Sequence, residues 1–258
     1  MLRGIKNAAS ALRGQQMKVD VTAHNLANIN TTGYKKQELL FQDLLYQQVA
    51  RRGNAVMAVG AEAKPVVTGV GTAMATVRRD VRAGAYLETN RELDLAIVGD
   101  GYFRVTLPDG SEAYTRAGNL QKDSSGNLVT AQGYRLQFPQ LPAAAAELQI
   151  SEDGMLTVVT TAGEKLTLGQ IQLAYFDNPA GLVQLGQNLY AAGPNSGAAR
   201  IAPPGPETRL KQGYLESANV DLAQEMTGML LSQRAFSLNA RVLQTFAEML
   251  DIANNLRR

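Results

Sequence analysis

The sequence predicts an α+β protein: two long terminal helices pairing as an antiparallel coiled-coil-like domain, extended connectors, and a β-rich, mainly antiparallel central module. Three observations carry this. Apolar residues recur at alternating three- and four-residue spacing at both ends of the chain. Gly and Pro gather in two stretches just inside those ends, and turn dipeptides punctuate the middle.

At the N-terminal end the seam runs Leu2, Ile5, Ala9, Leu12, Gln16, Val19, Ala23, Leu26. Every step is three or four residues, and only Gln16 is polar. Asn28, Asn30, Thr31, Thr32 and Gly33 then form a polar turn, with Gly33 expected in the left-handed region. The C-terminal end repeats the seam through Leu222, Met226, Met229, Gln233, Phe236, Ala240, Leu243, Ala247 and Leu250. Val242, Phe246 and Met249 add a second stripe beside it. Asn219 or Ser217 is expected to cap this helix, with Asp221 and Glu225 placing negative charge near its start. Each Leu, Met or Phe fully buried contributes about 1.5–3 kcal/mol, so both seams want a partner. The simplest partner is the other seam, with Gln16 and Gln233 sharing a polar layer that fixes register.

Between the helices the pattern is β. Val105-Thr106-Leu107 leads through Pro108-Asp109-Gly110 to Glu112-Ala113-Tyr114-Thr115. Gly126 and Gly154 precede further strand-like runs, and Asp-Gly and Ser-Gly supply the positive φ that tight hairpins need. Residues 50–75 and 191–208 are rich in Gly, Pro and small residues and read as connectors. The expected division is 1–30 with 217–258 as helical assembly domain, 31–75 with 191–216 as connector domain, and 76–190 as β-rich outer domain.

Composition excludes much chemistry. The 258 residues contain no Cys and one His, His24, so disulfides, thiolate metal sites, cysteine nucleophiles and poly-histidine sites are ruled out. A balance of 25 basic against 23 acidic residues gives a net of +2, too weak for an electrostatic nucleic-acid binder. No apolar run is long enough for a spanning helix, and the N-terminal segment lacks the apolar core of a secretory signal. Export, if any, is expected to need no cleaved signal.

No constellation in the chain points to catalysis. Gly99-Asp100-Gly101 resembles part of a phosphate loop, but Tyr102-Phe103-Arg104-Val105 continues as a strand rather than a helix, so a strand-linking turn is the better reading. Asp94 and Asp100 lack an acid–base partner. His24 reads as a helix-surface or packing residue. Arg78, Arg79 and Arg82, interrupted by Asp80, read as a solvated strand edge or an intersubunit contact. The expectation is a non-enzyme without cofactor or metal. Its second apolar stripe is left over for assembly, since large exposed apolar stripes mark protein interfaces.

Three segments in order resemble one family, the bacterial flagellar rod and hook proteins of the basal body. Asn25-Leu26-Ala27-Asn28-Ile29-Asn30-Thr31-Thr32-Gly33-Tyr34-Lys35 is similar to the family's N-terminal signature. Asp94 through Phe103 resembles the strand that opens its β domain. Ser217 through Met226, followed by Gln233-Arg234-Ala235-Phe236 and Asn239, resembles its C-terminal region. Within the family, Phe41-Gln42-Asp43-Leu44-Leu45-Tyr46-Gln47 and the stretch 48–70 look like the distal-rod branch. The resemblance implies a structural subunit exported unfolded through the flagellar type III apparatus. Polymerised, it would form a hollow rigid rod in the periplasm that carries motor torque. Its implied partners are itself, the proximal rod, the hook or hook-junction proteins, the flagellar rings and the export apparatus. Leu2, Ile5, Leu12, Gln16, Val19 and Leu26, with Leu222, Met226, Met229, Gln233, Phe236, Leu243, Phe246 and Leu250, would form the assembly interface. Phe41, Leu44, Leu45, Tyr46, Arg51, Arg52 and Pro65 would belong to a connector that makes the rod rigid. The alternatives are a proximal-rod or hook paralogue, a cell-wall-binding β module with helical oligomerisation arms, and an enzyme with an unrecognised site.

Overall fold

A computed structural model describes residues 2–43, 47–48, 67–68, 72–142, 145–160 and 164–255. It is α+β: one helix at each end and a central part built almost wholly of antiparallel strands. Helix α1 covers Leu2–Ala27 and helix α2 covers Leu222–Asn255. The chain divides into two units.

The first unit comprises Met1–His24, Gln37–Arg78 and Ala223–Arg258. It holds most of both helices and the strand pair Gln37–Asp43 with Thr72–Arg79. Small residues of α1 seat aromatic rings here. A Cβ at Gly4 would lie 2.9 Å from Phe246 Cζ of α2, and one at Gly14 would lie 2.8 Å from Phe41 Cε1. The sides that the chain covers coincide with the apolar seams only in part. On α1 the buried positions are Ala8, Gly14, Thr22 and Asn25; Ile5, Leu12, Val19 and Leu26 are half-buried. On α2 only Glu225 and Ser232 are buried, seven residues apart. Leu222, Met226, Leu231, Leu238 and Ile252 are each about half exposed or more. Gln16 is exposed and donates its amide to Asp20 Oδ1 of its own helix at 3.2 Å, while Gln233 is exposed on α2. The expected glutamine layer is therefore not formed within the chain, because i,i+4 pairing along α1 already satisfies Gln16.

The second unit comprises Asn25–Lys36 and Arg79–Leu222. Its seven-stranded sheet runs in the order Val183–Gly186, Leu189–Ala191, Glu112–Thr115, Phe103–Thr106, Arg135–Leu136, Leu128–Val129, Gln121–Lys122. A three-stranded sheet joins Ala145–Ile150, Met155–Thr160 and Lys165–Gln170. Three further pairs link Leu95–Val98 to Arg209–Gln212, Leu173–Tyr175 to Arg200–Ala202, and Tyr86–Glu88 to Tyr214–Glu216. The predicted hairpin around Pro108-Asp109-Gly110 forms, with Phe103 opposite Thr115 and Thr106 opposite Glu112. Phe103 and Val105 are fully buried and alternate with half-buried Arg104 and Thr106, the period-two pattern of a strand with one face on a core. They join Leu156, Val158, Ile171 and Leu173 in one continuous apolar cluster. A second cluster packs Tyr102, Tyr114 and Tyr190 edge-on around Phe176 and each other.

Residues 191–216, expected as connector, instead supply strands Arg200–Ala202, Arg209–Gln212 and Tyr214–Glu216 to this unit. The Pro and Gly residues of the stretch fall outside these strands, where they do not interrupt a ladder.

Candidate functional site

The segment after α1 is held in place by residues far away in sequence. Asn25, in the last turn of α1, accepts a hydrogen bond from the Tyr34 hydroxyl at 3.0 Å. The intervening turn closes through Thr31 N–H to Asn28 C=O at 3.0 Å and Thr31 Oγ1 to Asn28 Oδ1 at 3.2 Å. Gly33 has φ = +67°, and its N–H donates to Glu216 C=O at 2.7 Å. That backbone favours glycine, and a Cβ there would meet the Arg116 carbonyl carbon at 2.9 Å. Asn188 Nδ2 donates to Thr32 C=O at 2.7 Å.

The next residue, Lys35, enters a buried ionic knot. Its ammonium donates to Glu216 Oε1 at 2.6 Å and to Arg82 C=O at 2.7 Å. The other Glu216 oxygen accepts from Arg116 Nε at 2.9 Å, and Gly84 N–H donates to Oε1 at 3.1 Å. Arg116 Nη2 spends its protons on the carbonyls of Ile97 and Gly99 at 3.1 and 2.8 Å. The side chains of Lys35, Glu216 and Arg116 are 1%, 1% and 4% exposed. Two cations and one anion leave one net positive charge, offset by three backbone carbonyl dipoles. Every such contact is charge-assisted and so among the stronger hydrogen bonds.

Burial, and then Arg116, push the Lys35 ammonium below its ordinary pKa, with Glu216 pulling the other way. Burial works to raise the Glu216 carboxyl, but Arg116 and Lys35 together outweigh it and hold it below the usual carboxylate range.

The knot also takes in the approach to α2. Asn219 Oδ1 accepts from Lys36 N–H at 2.6 Å, and Asn219 Nδ2 donates to the carbonyls of Asp80 and Arg82, both at 3.0 Å. Its side chain is thus committed between three segments and does not cap α2 as expected. Asp80 N–H returns to Lys36 C=O at 2.8 Å.

The remaining sequence-predicted residues scatter. Phe41 rests on Gly14 of α1. Leu44, Leu45, Tyr46, Arg51, Arg52 and Pro65 lie outside the described residues, as does the side chain of Leu2. Arg78 pairs with Glu38 at 3.0 Å, Arg79 stacks 4.3 Å over the Tyr190 ring, and Arg82 pairs with Asp80, so each of the three has its own partner. Gly99 and Gly101, both at positive φ, turn the chain between two strands as expected. Asp94 is fully buried without a hydrogen bond to either oxygen, its nearest cation being Arg91 at 4.0 Å. Asp100 is exposed. Among the described residues no group of three His, Asp or Glu side chains converges as a metal site, and no helix is long and apolar enough to cross a membrane.

Sequence reasoning missed Glu216 and Arg116. Arg116 follows Ala113-Tyr114-Thr115, three buried residues in a row, and a charge directly after a strand buried on both faces was the available signal.

The motifs that build the knot coincide with three family models. The flagella basal body rod protein model matches residues 5–35, the flagellar hook protein FlgE/F/G D1 domain matches 96–158, and the flagellar basal body rod FlgEFG protein C-terminal model matches 211–256. The chain is 42% identical to the flagellar basal-body rod protein FlgG of Borreliella burgdorferi, with all of both chains covered. The chain belongs to the flagellar rod and hook family. It is also 39% identical to the flagellar basal-body rod protein FlgG of Caulobacter vibrioides, covering 99% of this chain and 100% of that one. Identity to the hook-basal body complex protein FlhP of Bacillus subtilis, also covered throughout, is 30%. Full-length kinship with basal-body rod proteins makes this member of the family a structural subunit of the flagellar rod. In these terms the knot ties the family's N-terminal and C-terminal motifs together within one unit.

Proposed function

We propose that the chain is the distal-rod subunit, polymerising into a rigid hollow tube that carries motor torque to the hook and serves as an export channel. The observation that carries this is a 34-residue helix with two buried residues, on a chain whose relatives are rod proteins over their full length. A helix leaving Leu222, Met226, Leu238 and Ile252 exposed has burial still to gain from other copies. Pairing of α1 and α2 as an antiparallel coiled-coil-like layer is part of the proposal, supported by Phe246 of α2 seated on Gly4 at the far end of α1. Partners at the two ends of the tube are the proximal rod and the hook or hook-junction proteins, with the flagellar rings around it. The rod lies in the periplasm, and its subunits arrive through the type III apparatus without a cleaved signal. The stretch 48–70 braces neighbouring copies against sliding.

Electron microscopy of the concentrated protein tests the proposal: straight hollow tubes are expected, and a chain that stays monomeric at every concentration refutes it. Deleting residues 48–70 is expected to give curved tubes. A deletion variant with straight ones would remove the bracing role.

A further inference from the structure

Beside the ionic knot the second unit holds a small cavity of about 150 Å3, with Arg116 of the knot in its wall. Arg116 is 5% exposed. Its Nε is committed to Glu216 and its Nη2 to the carbonyls of Ile97 and Gly99. Nη1, with two protons of its own, has no acceptor among the described residues. Arg79 Nη1 and Arg104 Nε also lack an acceptor but are sealed from solvent, and Arg116 Nη1 is not. Tyr102, 3% exposed, lines the same cavity, its ring centroid 5.8 Å from Arg116 Cζ. Its hydroxyl is likewise unsealed and without a partner among the described residues. Burial holds that phenol above its ordinary pKa, so it remains a donor at neutral pH. Phe176, edge-on to Tyr102, supplies an apolar wall.

The mouth has the opposite sign. Asp100, Asp177 and Arg200 line the cavity, all three are exposed, and none forms an ion pair among the described residues. Arg200 instead lies over the Tyr175 ring, 5.6 Å from its centroid. These exposed groups sum to one negative charge, and Lys35, Arg116 and Glu216 within sum to one positive charge. We propose that the cavity binds a free α-amino acid of glycine or alanine size as its zwitterion, with the carboxylate inward on Arg116 Nη1 and the Tyr102 hydroxyl and the ammonium outward between Asp100 and Asp177. A bare carboxylate would satisfy Nη1 but lie beneath two carboxylates of its own sign. A bare amine would suit the mouth and leave the buried guanidinium protons unpaired. The inward contact is charge-assisted and removed from water, so it supplies most of the affinity, while the exposed pairs at the mouth supply selection. Size agrees, because cavities of about 150 Å3 admit benzene, and alanine has no more heavy atoms than benzene.

The test uses the full chain kept dilute, so its outcome is independent of tube formation. Amide chemical shifts are followed by NMR while alanine, glycine, acetate or ethylamine is added up to about 50 mM, a range set by the limited affinity of so small a ligand. Alanine and glycine are expected to saturate, with the shifts centred on Gly101, Tyr102 and Phe176. Acetate and ethylamine should bind about tenfold more weakly or less. Replacing Arg116 would disturb the knot, so the two ends of the ligand are read elsewhere. Asp100→Asn with Asp177→Asn should weaken alanine about tenfold and leave acetate unchanged or tighter. Tyr102→Phe keeps the ring and should weaken alanine and acetate alike. Acetate binding as well as alanine, or a double variant that holds alanine as before, overturns the zwitterion. Unchanged binding by Tyr102→Phe overturns the inward carboxylate. No saturation by either amino acid, or shifts centred elsewhere, overturns the site.

Discussion

Among the described residues Glu216 is the only anion bonded to either Lys35 or Arg116, and all three are removed from water. Taking away its charge leaves two cations confined together. Breaking a buried pair in this way costs about 3–5 kcal/mol, so Glu216→Gln is expected to lower the unfolding free energy by that amount in a urea titration. Adding Lys35→Met should recover part of the loss, because one stranded cation goes with it. The pH dependence follows from the lowered carboxyl. A carboxyl with a depressed folded pKa stabilises fully above its unfolded value and loses that contribution as pH falls through the folded one. The gap between wild type and Glu216→Gln is therefore widest at neutral pH and closes below the ordinary value of 4.5. A gap unchanged from neutral pH down to about pH 3 would contradict this. Lys35 was legible in the sequence only as the end of a motif. Its partnership with Glu216 spans 181 residues and that of Arg116 with Glu216 spans 100, and no local pattern carries pairings of that range.

The elements themselves were more legible. Turn glycines announced the hairpins, and Gly110, Gly126 and Gly154 do take positive φ. Period-two burial in Phe103–Thr106 follows from the alternation in its sequence. The helical seams were read correctly as helix and only partly as to face. Apolar periodicity points to the side that gains most from burial. Within one chain α2 buries Glu225 and Ser232 and half-buries the seam residues Met229, Leu243 and Leu250, while Leu222 and Met226 of the same seam stay outside. Two leucines separate the cases. Leu156 is fully buried in the module core, and Leu156→Ala should cost about 2–5 kcal/mol of stability. Leu238 is 60% exposed on α2, and Leu238→Glu should change monomer stability by less than about 0.5 kcal/mol. It should nevertheless abolish sedimenting tubes. If Leu238→Glu unfolds the monomer, or polymerises normally, the division between core and assembly surface is drawn in the wrong place.

At the scale of the molecule the two units differ in how much of their structure is supported from within. The second has two apolar clusters and the ionic knot. The first has helices lying partly on aromatic rings, with a broad apolar stripe uncovered. Isolated helices are marginal in water, and most helical stability in proteins comes from packing an amphipathic face. Amide exchange reads this difference, since local opening free energies run from near zero to the global value. In dilute monomer the amides of Met155–Thr160 should exchange only by global unfolding. Those of α2 beyond Ser232 should exchange far faster, through fraying and local opening. On assembly α2 should gain protection while the strands keep theirs, because the newly buried surface belongs to the helix. Comparable protection of α2 and Met155–Thr160 in dilute monomer would mean that the helix is already stabilised alone, and its exposed leucines would then need an explanation other than assembly.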